Sequence, residues 1–200
     1  MSNKHALQTF LDELASGTPT PGGGSVAAAV GAMGAALVSM VCNLTIGREK
    51  FAGVEARMKE TLARSETLRA ELSQLMTDDI EAYQAVMAAY RLPKGTEEEK
   101  PIRTEAIQAG LKKATLTPLA TARACAEVIE LGQFVAESGN PNAASDAGAG
   151  AACAQAGLKA ATLNVLINLG SIKDKVFVST HQAELNRILS KHNLADEIHE

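Results

Sequence analysis

Tryptophan is missing altogether, and two tyrosines and four phenylalanines supply all the aromatic rings in 200 residues. So few aromatics argue against a β-sandwich and favour closely packed helices as the way to bury a 46% apolar content dominated by Ala, Val, Leu, Ile and Met. A basic stripe is lacking as well. Lys and Arg number 19 against 23 Asp and Glu, scattered along the chain with a formal charge of −4, so the sequence has no phosphate-tracking stripe and nucleic acid is not expected as a partner.

Cysteines are few, odd in number and far apart: Cys42, Cys125 and Cys153 sit in apolar or Ala-rich runs. They read as reduced core thiols without a disulfide, in a cytoplasmic, reducing compartment. HExxH and CxxC are absent, and His5, His181, His192 and His199 lie near the chain ends, where they read as surface residues. No metal site is expected. The N-terminal stretch has no uninterrupted apolar segment, since Gln8, Asp12 and Glu13 break it up, so it does not read as a signal peptide.

One long uncharged run is present, SVAAAVGAMGAALVSMVCNLTI at 25–46, about long enough to cross a bilayer. It is rich in Ala and Gly rather than Leu and has no Trp or Tyr anchors, so it reads as a buried helix and no membrane partner is expected. Ala27, Gly31 and Ala35 recur every four residues and admit a second helix close to that backbone.

Around it the apolar spacing predicts further helices and no strands. A first helix covers 4–15 and is stopped by SGTPTPGGGS, after which Ser25 is placed to cap the central helix. The segment 53–92 reads as one long helix, or two end to end, with a stripe through Val54, Met58, Leu62, Leu68, Leu72, Met76, Tyr83, Met87 and Tyr90. Another helix starts at about Glu97, Thr117-Pro118 marks a boundary, and a new helix runs on to about Glu137. SGNPNAASDAGAG reads as a loop capped by Asn142 or Ser145, leading into an Ala-rich helix that ends at Leu169, and 174–191 closes the chain. The expectation is one all-α, multihelical domain over 1–200.

Three constellations carry possible chemistry. The turn TPTPGGGS exposes backbone N–H groups at a helix start, an anion nest for a carboxylate or phosphate, but it is neither a Walker A loop nor GxGxxG. Asp79 lies on the apolar stripe, four residues from Leu75 and Tyr83, where a carboxylate is out of place. Burial, with a smaller push from Asp78, would raise its pKa and suit it to proton transfer; an ion pair across a helix interface is the plainer alternative. The turn 138–146 gathers Asn140, Asn142, Ser145 and Asp146, able to read a heterocycle's edge or simply to cap a helix. Asn164 and Asn168, one turn apart in an apolar helix, need partners. Ser39 and Cys42 read as packing residues, while Arg48, Lys50, Lys94 and Arg103 gather near helix ends, available to a polyanionic tail.

Taken in order, PTPGGGSVAAAVGAMGAALVSMVCNLTIGREKF, DDIEAYQAVMAAYRLPKGTEEEK, GNPNAASDA and LNVLINL resemble the cyclodeaminase/cyclohydrolase family over nearly the whole chain. That family comprises the cyclodeaminase domain of formiminotransferase-cyclodeaminase and the stand-alone methenyltetrahydrofolate cyclohydrolases, and length and wording look closest to the latter. The resemblance implies a helical homodimer that binds folate near the subunit interface, with no metal or cofactor. It also places the catalytic aspartate at Asp79, with Pro21, Gly22, Gly23, Gly24, Ser25, Lys94, Asn140, Ser145 and Asp146 around the substrate. At Thr77 the chain departs from the fused enzymes, which tend to be acidic there, so no paired-carboxylate argument transfers. The expected reaction is hydrolysis of 5,10-methenyltetrahydrofolate to 10-formyltetrahydrofolate; the alternatives are cyclodeamination of the formimino substrate and a silent folate-binding dimer.

Overall fold

The computed structural model of the chain describes residues 3–192, with side chains from Ala6 onward. Six α-helices follow one another: α1 (Asn3–Leu14), α2 (Gly23–Thr45), α3 (Glu55–Tyr90), α4 (Glu99–Ser138), α5 (Ala144–Leu169) and α6 (Lys175–Lys191). Short 3₁₀ turns, Glu49–Val54 and Pro141–Ala143, precede α3 and α5. No strand occurs among the described residues.

The uncharged segment is a core helix. α2 packs against α3, α4 and α5 and buries thirteen residues, among them Ala28, Ala35, Val38 and Cys42. Although long and apolar enough to cross a membrane, it lies mostly inside the fold. Its small residues bring α5 close: a Cβ on Gly34 would stand 2.7 Å from the Gly150 carbonyl oxygen, and one on Gly157 would stand 2.8 Å from that of Ala27. Backbone against backbone at that distance leaves room for hydrogen alone. Cys42 and Cys125 are buried free thiols, pushed by burial up to about 11 and about 12, which keeps them protonated. Cys153 is free and half-buried.

Successive long helices run in opposite directions. α2 and α4 therefore end near the start of α5, where Asn140 joins them, while the start of α2 meets the second half of α3 and the end of α5. α1 lays Leu7 and Phe10 beside Ala29 and Met33 of α2 and Met76 of α3. α6 rests on α4 through the buried Leu185 and Leu189, flanked by the Arg123–Glu184 and Lys191–Glu130 ion pairs.

Several boundaries differ from those expected. No break occurs at Thr117-Pro118, because α4 continues through Pro118. Proline has no N–H to give the carbonyl four residues back, and that carbonyl, on Ala114, instead accepts a hydrogen bond from Asn168 Nδ2 at 3.0 Å. α4 starts in a reciprocal capping box: Glu99 N donates to Thr96 Oγ1 at 3.2 Å and Thr96 N to Glu99 Oε2 at 3.1 Å. The loop before α5 is shorter than expected, since 144–150 are already helical, and neither Asn142 nor Ser145 caps it. On α3 the stripe is rotated in its second half: Ala82, Val86 and Ala89 are buried, whereas Tyr83 and Met87 are half-buried and Tyr90 is exposed.

Two histidines depart from the surface reading. The side chain of His192 is only 8% exposed and stands 3.8 Å from Glu130; burial lowers its pKa, and its Nε2 finds no hydrogen-bond partner among the described residues. His181 is half-buried, with Nδ1 2.8 Å from the Phe177 carbonyl oxygen and its ring 3.9 Å from that of Phe177. The side chain of His5, and all of His199, lie outside the described residues.

Candidate active site

Asp79 occupies a position of the buried seam of α3, in step with Leu72, Leu75, Ala82 and Val86, so its carboxylate is carried inward against the start of α2. That start has no side-chain cap of its own, because the N-cap residue is Gly22. Asp79 takes the place of one. Ser25 Oγ donates to Asp79 Oδ2 at 2.9 Å and lies 3.4 Å from the Met76 carbonyl oxygen, and the Ser25 backbone N–H also donates to the carboxyl group. Ser25 is the third residue after Gly22, the position whose N–H an N-cap side chain usually satisfies.

Two sequence expectations change with this arrangement. Ser25 is not the helix cap but the donor to the group that acts as one, and the glycine nest is turned toward a carboxylate of the chain itself. Gly24 is what admits it: a Cβ there would fall 2.0 Å from Asp79 Oδ1. Burial raises the pKa of Asp79 above the ordinary aspartate value, opposed by the Ser25 hydroxyl and then by the Ser25 N–H, both of which favour the ionised form. Asp78 contributes nothing to that rise; its Oδ1 accepts from Gln74 Nε2 at 2.9 Å on the neighbouring face.

Asp79 forms one end of a cavity of about 310 Å³. One wall is the turn of Pro19, Thr20, Gly22, Gly23 and Gly24; α3 supplies Ala82, Tyr83, Val86, Met87 and Tyr90, and α4 supplies Leu111 and Ala114. α5 closes it with Asn164 and Asn168, which sequence reasoning marked as unusual without assigning to the site. Asp79 and Tyr90 are separated by about 16 Å of helix at ~1.5 Å per residue, so the cavity is an elongated trough of mixed polar and apolar lining, with Asp79 at one end and Asn164 and Asn168 on its α5 side.

Gly24 and Ser25 thus stand against Asp79, Gly22 and Gly23 line the same cavity, and Pro21, buried, precedes them after a cis Thr20–Pro21 bond. Lys94 is exposed in the α3–α4 connection, just beyond Tyr90. At that same end Arg103 donates through Nε and Nη2 to the Tyr90 carbonyl oxygen at 3.2 and 2.9 Å, its guanidinium 5.6 Å from the Tyr90 ring. Arg48 and Lys50 lie past the other end of α2, so the four cations form two groups rather than one.

Asn140, Ser145 and Asp146 do not line the cavity. They stand at the far end of α2, where Asn140 is bonded to Leu44 and Thr45, roughly 33 Å of helix from Gly23, and Ser145 and Asp146 open α5 nearby. Asn140 is 4% exposed: its N–H donates to Thr45 Oγ1, its Nδ2 to the Leu44 carbonyl oxygen, and its Oδ1 accepts from Asn142 N. It fastens the α4–α5 turn to α2. Among the described residues no three His, Cys, Asp or Glu side chains come together as a metal cradle.

A family model described as formiminotransferase-cyclodeaminase matches residues 6–187. The chain belongs to that family. Its relatives include a methenyltetrahydrofolate cyclohydrolase from Methylorubrum extorquens, 51% identical over 98% of this chain and 95% of that one. The formimidoyltransferase-cyclodeaminase of Rattus norvegicus is 37% identical over 93% of this chain, which spans 34% of that longer protein. Among family structures, the formiminotetrahydrofolate cyclodeaminase of Thermotoga maritima superposes with a TM-score of 0.84 at 31% identity, covering 99% of this chain and 93% of that one.

Proposed function

We propose that the chain is a methenyltetrahydrofolate cyclohydrolase, hydrolysing 5,10-methenyltetrahydrofolate to 10-formyltetrahydrofolate, with Asp79 as its proton-transfer group. The observation that carries this reading is a half-buried carboxylate with a raised pKa at the end of an elongated trough, together with 51% identity over nearly full length to a cyclohydrolase.

The chemistry asks little of the protein. The methenyl carbon is a cationic amidinium, already electrophilic, so no metal or cofactor is required to activate it. Water attacks that carbon, forming the carbon–oxygen bond, while Asp79 accepts one of its protons. Asp79 then returns the proton to N5 as the carbon–N5 bond breaks, and the remaining hydroxyl proton leaves to solvent as the formyl group forms. One carboxyl serves both steps if its pKa is lifted toward neutrality, which burial does here and Ser25 moderates. The ionised form also attracts the cationic ring, more strongly in a partly desolvated trough than in water.

The trough's polar end takes the pterin and methenyl carbon, and its open end leads the anionic tail toward Lys94 and Arg103. We further infer a cytoplasmic homodimer serving one-carbon metabolism. Its dimer is supported by an apolar strip on the surface, Met33 and Met40 of α2 at 49% and 44% exposure, continued by Leu7 and Leu11 of α1. Ser145 and Asp146 meet substrate in such an assembly only where one copy brings its α5 start to the other's trough. Light scattering on wild type and on Met33→Glu/Met40→Glu tests the dimer: the former is expected at twice the chain mass, the latter at once.

A cyclodeaminase would use the same trough and carboxyl, with N10 attacking and ammonia leaving; the superposition on the Thermotoga maritima enzyme favours testing it. Ammonia release from 5-formiminotetrahydrofolate, set against absorbance loss from methenyl substrate, separates the two activities.

A further inference from the structure

The polar side of the trough is made of two asparagines whose orientation is fixed from within the protein. Asn168 directs its Nδ2 to the Ala114 carbonyl oxygen at 3.0 Å, the acceptor left without its helical donor by Pro118. Asn164 directs its Nδ2 to the Ala160 carbonyl oxygen at 2.9 Å. In each case the group facing a carbonyl must be the NH₂, which settles which atom of the amide is oxygen. Both side chains line the cavity, and among the described residues neither carbonyl oxygen has a hydrogen-bond donor.

The row starts beside the reacting carboxylate. A Cβ on Gly23 would lie 3.5 Å from Asn164 Nδ2, and one on the next residue, Gly24, would meet Asp79. Asn168 follows one turn along α5, its Cβ about 5–6 Å further on. The same cavity is lined by Ala82, Val86 and Leu111, which offer no hydrogen bonds, and by Tyr83, whose hydroxyl can make them. The trough therefore presents two oriented acceptors in a row, with apolar side chains elsewhere on its walls.

We propose that the Oδ1 atoms of Asn164 and Asn168 are the specificity-determining acceptors for the N–H groups on the edge of the substrate's fused ring, the 2-amino group among them. The inference rests on the folate reading above. Neutral acceptors suit this edge, since they take N–H donors without adding a second anion beside Asp79. A ligand lacking the 2-amino group leaves an acceptor unpaired and is rejected for that reason.

The test compares 5,10-methenyltetrahydrofolate with its 2-desamino counterpart by steady-state kinetics. Asn164→Ala removes one oxygen cleanly, because Ala160 keeps its main-chain donor from the α5 helix. Asn168→Ala is made in a Pro118→Ala background, where the restored N–H at position 118 serves Ala114. Wild type is expected to prefer the natural substrate at least tenfold in kcat/KM, and that preference is expected to fall to about threefold or less in at least one variant. A lower kcat/KM for both substrates with the preference intact is what a purely structural role would give, and it overturns the inference. So does a wild type that handles both substrates equally well. A wild type inactive on the natural substrate overturns the cyclohydrolase reading first, and this inference with it.

Discussion

Gly24 and Asp79 are fitted to one another: the position a Cβ would take on Gly24 is 2.0 Å from Asp79 Oδ1, closer than any unbonded contact allows. The carboxylate reaches the start of α2 only because the side chain there is a hydrogen atom. Gly24→Ala is therefore expected to push the carboxyl out of place and lower kcat by about 100-fold, the scale on which a reacting group misplaced by roughly 1 Å acts. Circular dichroism with methenyl-substrate kinetics checks this; a variant with wild-type kcat would show that the contact does not position Asp79.

Ser25→Ala bears on pH dependence. The Ser25 hydroxyl donates to the ionised carboxyl and so holds its pKa down against burial. Without it the pKa climbs further. Where ionised Asp79 is the base, kcat/KM falls as pH drops through that pKa, so the acidic limb of the profile is expected to move to higher pH. A limb that stays put, or moves to lower pH, contradicts the assignment.

Stability gives the opposite ranking from activity at position 79. Because the folded-state pKa is raised, the folded chain holds the Asp79 proton more tightly than the unfolded chain does. The ionised group thus opposes folding at neutral pH, and this opposition fades as pH falls below the raised pKa. Asp79→Asn, which keeps an acceptor for Ser25, is expected to melt at or above wild type at neutral pH, with the difference shrinking on acidification. Asp79→Ala removes the cap of α2 and is expected to lose about 0.5–2 kcal/mol relative to Asp79→Asn. Denaturant melts of the three proteins across pH decide it.

How much of this was legible in the residues differs from place to place. Asp79 stood out because helical spacing alone carries a carboxylate onto the line of Leu72, Leu75 and Val86, and α2 read as a core helix because its small residues implied a close neighbour. What spacing cannot supply is partners from elsewhere in the chain. Pro118 looked like a boundary because the donor that mends the helix, Asn168, lies 50 positions further on, and Ser25 looked like a cap because the carboxyl that does the capping is on α3. The motif of Asn140 to Asp146 read as part of one pocket, whereas within one chain it lies at the opposite end of α2 from Asp79.

The Pro118–Asn168 relation is itself testable by a double-mutant cycle. Asn168→Leu strands the Ala114 carbonyl and is expected to cost about 1–3 kcal/mol. In a Pro118→Ala background the same change is expected to cost less, since residue 118 then donates to Ala114. Additive losses in urea melts would mean that the two residues do not compensate one another.

The most direct test follows the absorbance of 5,10-methenyltetrahydrofolate with purified wild type, with Asp79→Asn, and with no enzyme, since the substrate also hydrolyses unaided. Rapid loss with wild type, and a rate reduced by about 10²–10⁴-fold in a folded Asp79→Asn that still binds substrate, is the outcome expected for proton transfer by Asp79. Equal rates for wild type and Asp79→Asn would contradict that role, and a wild type no faster than the uncatalysed reaction would contradict the cyclohydrolase function itself.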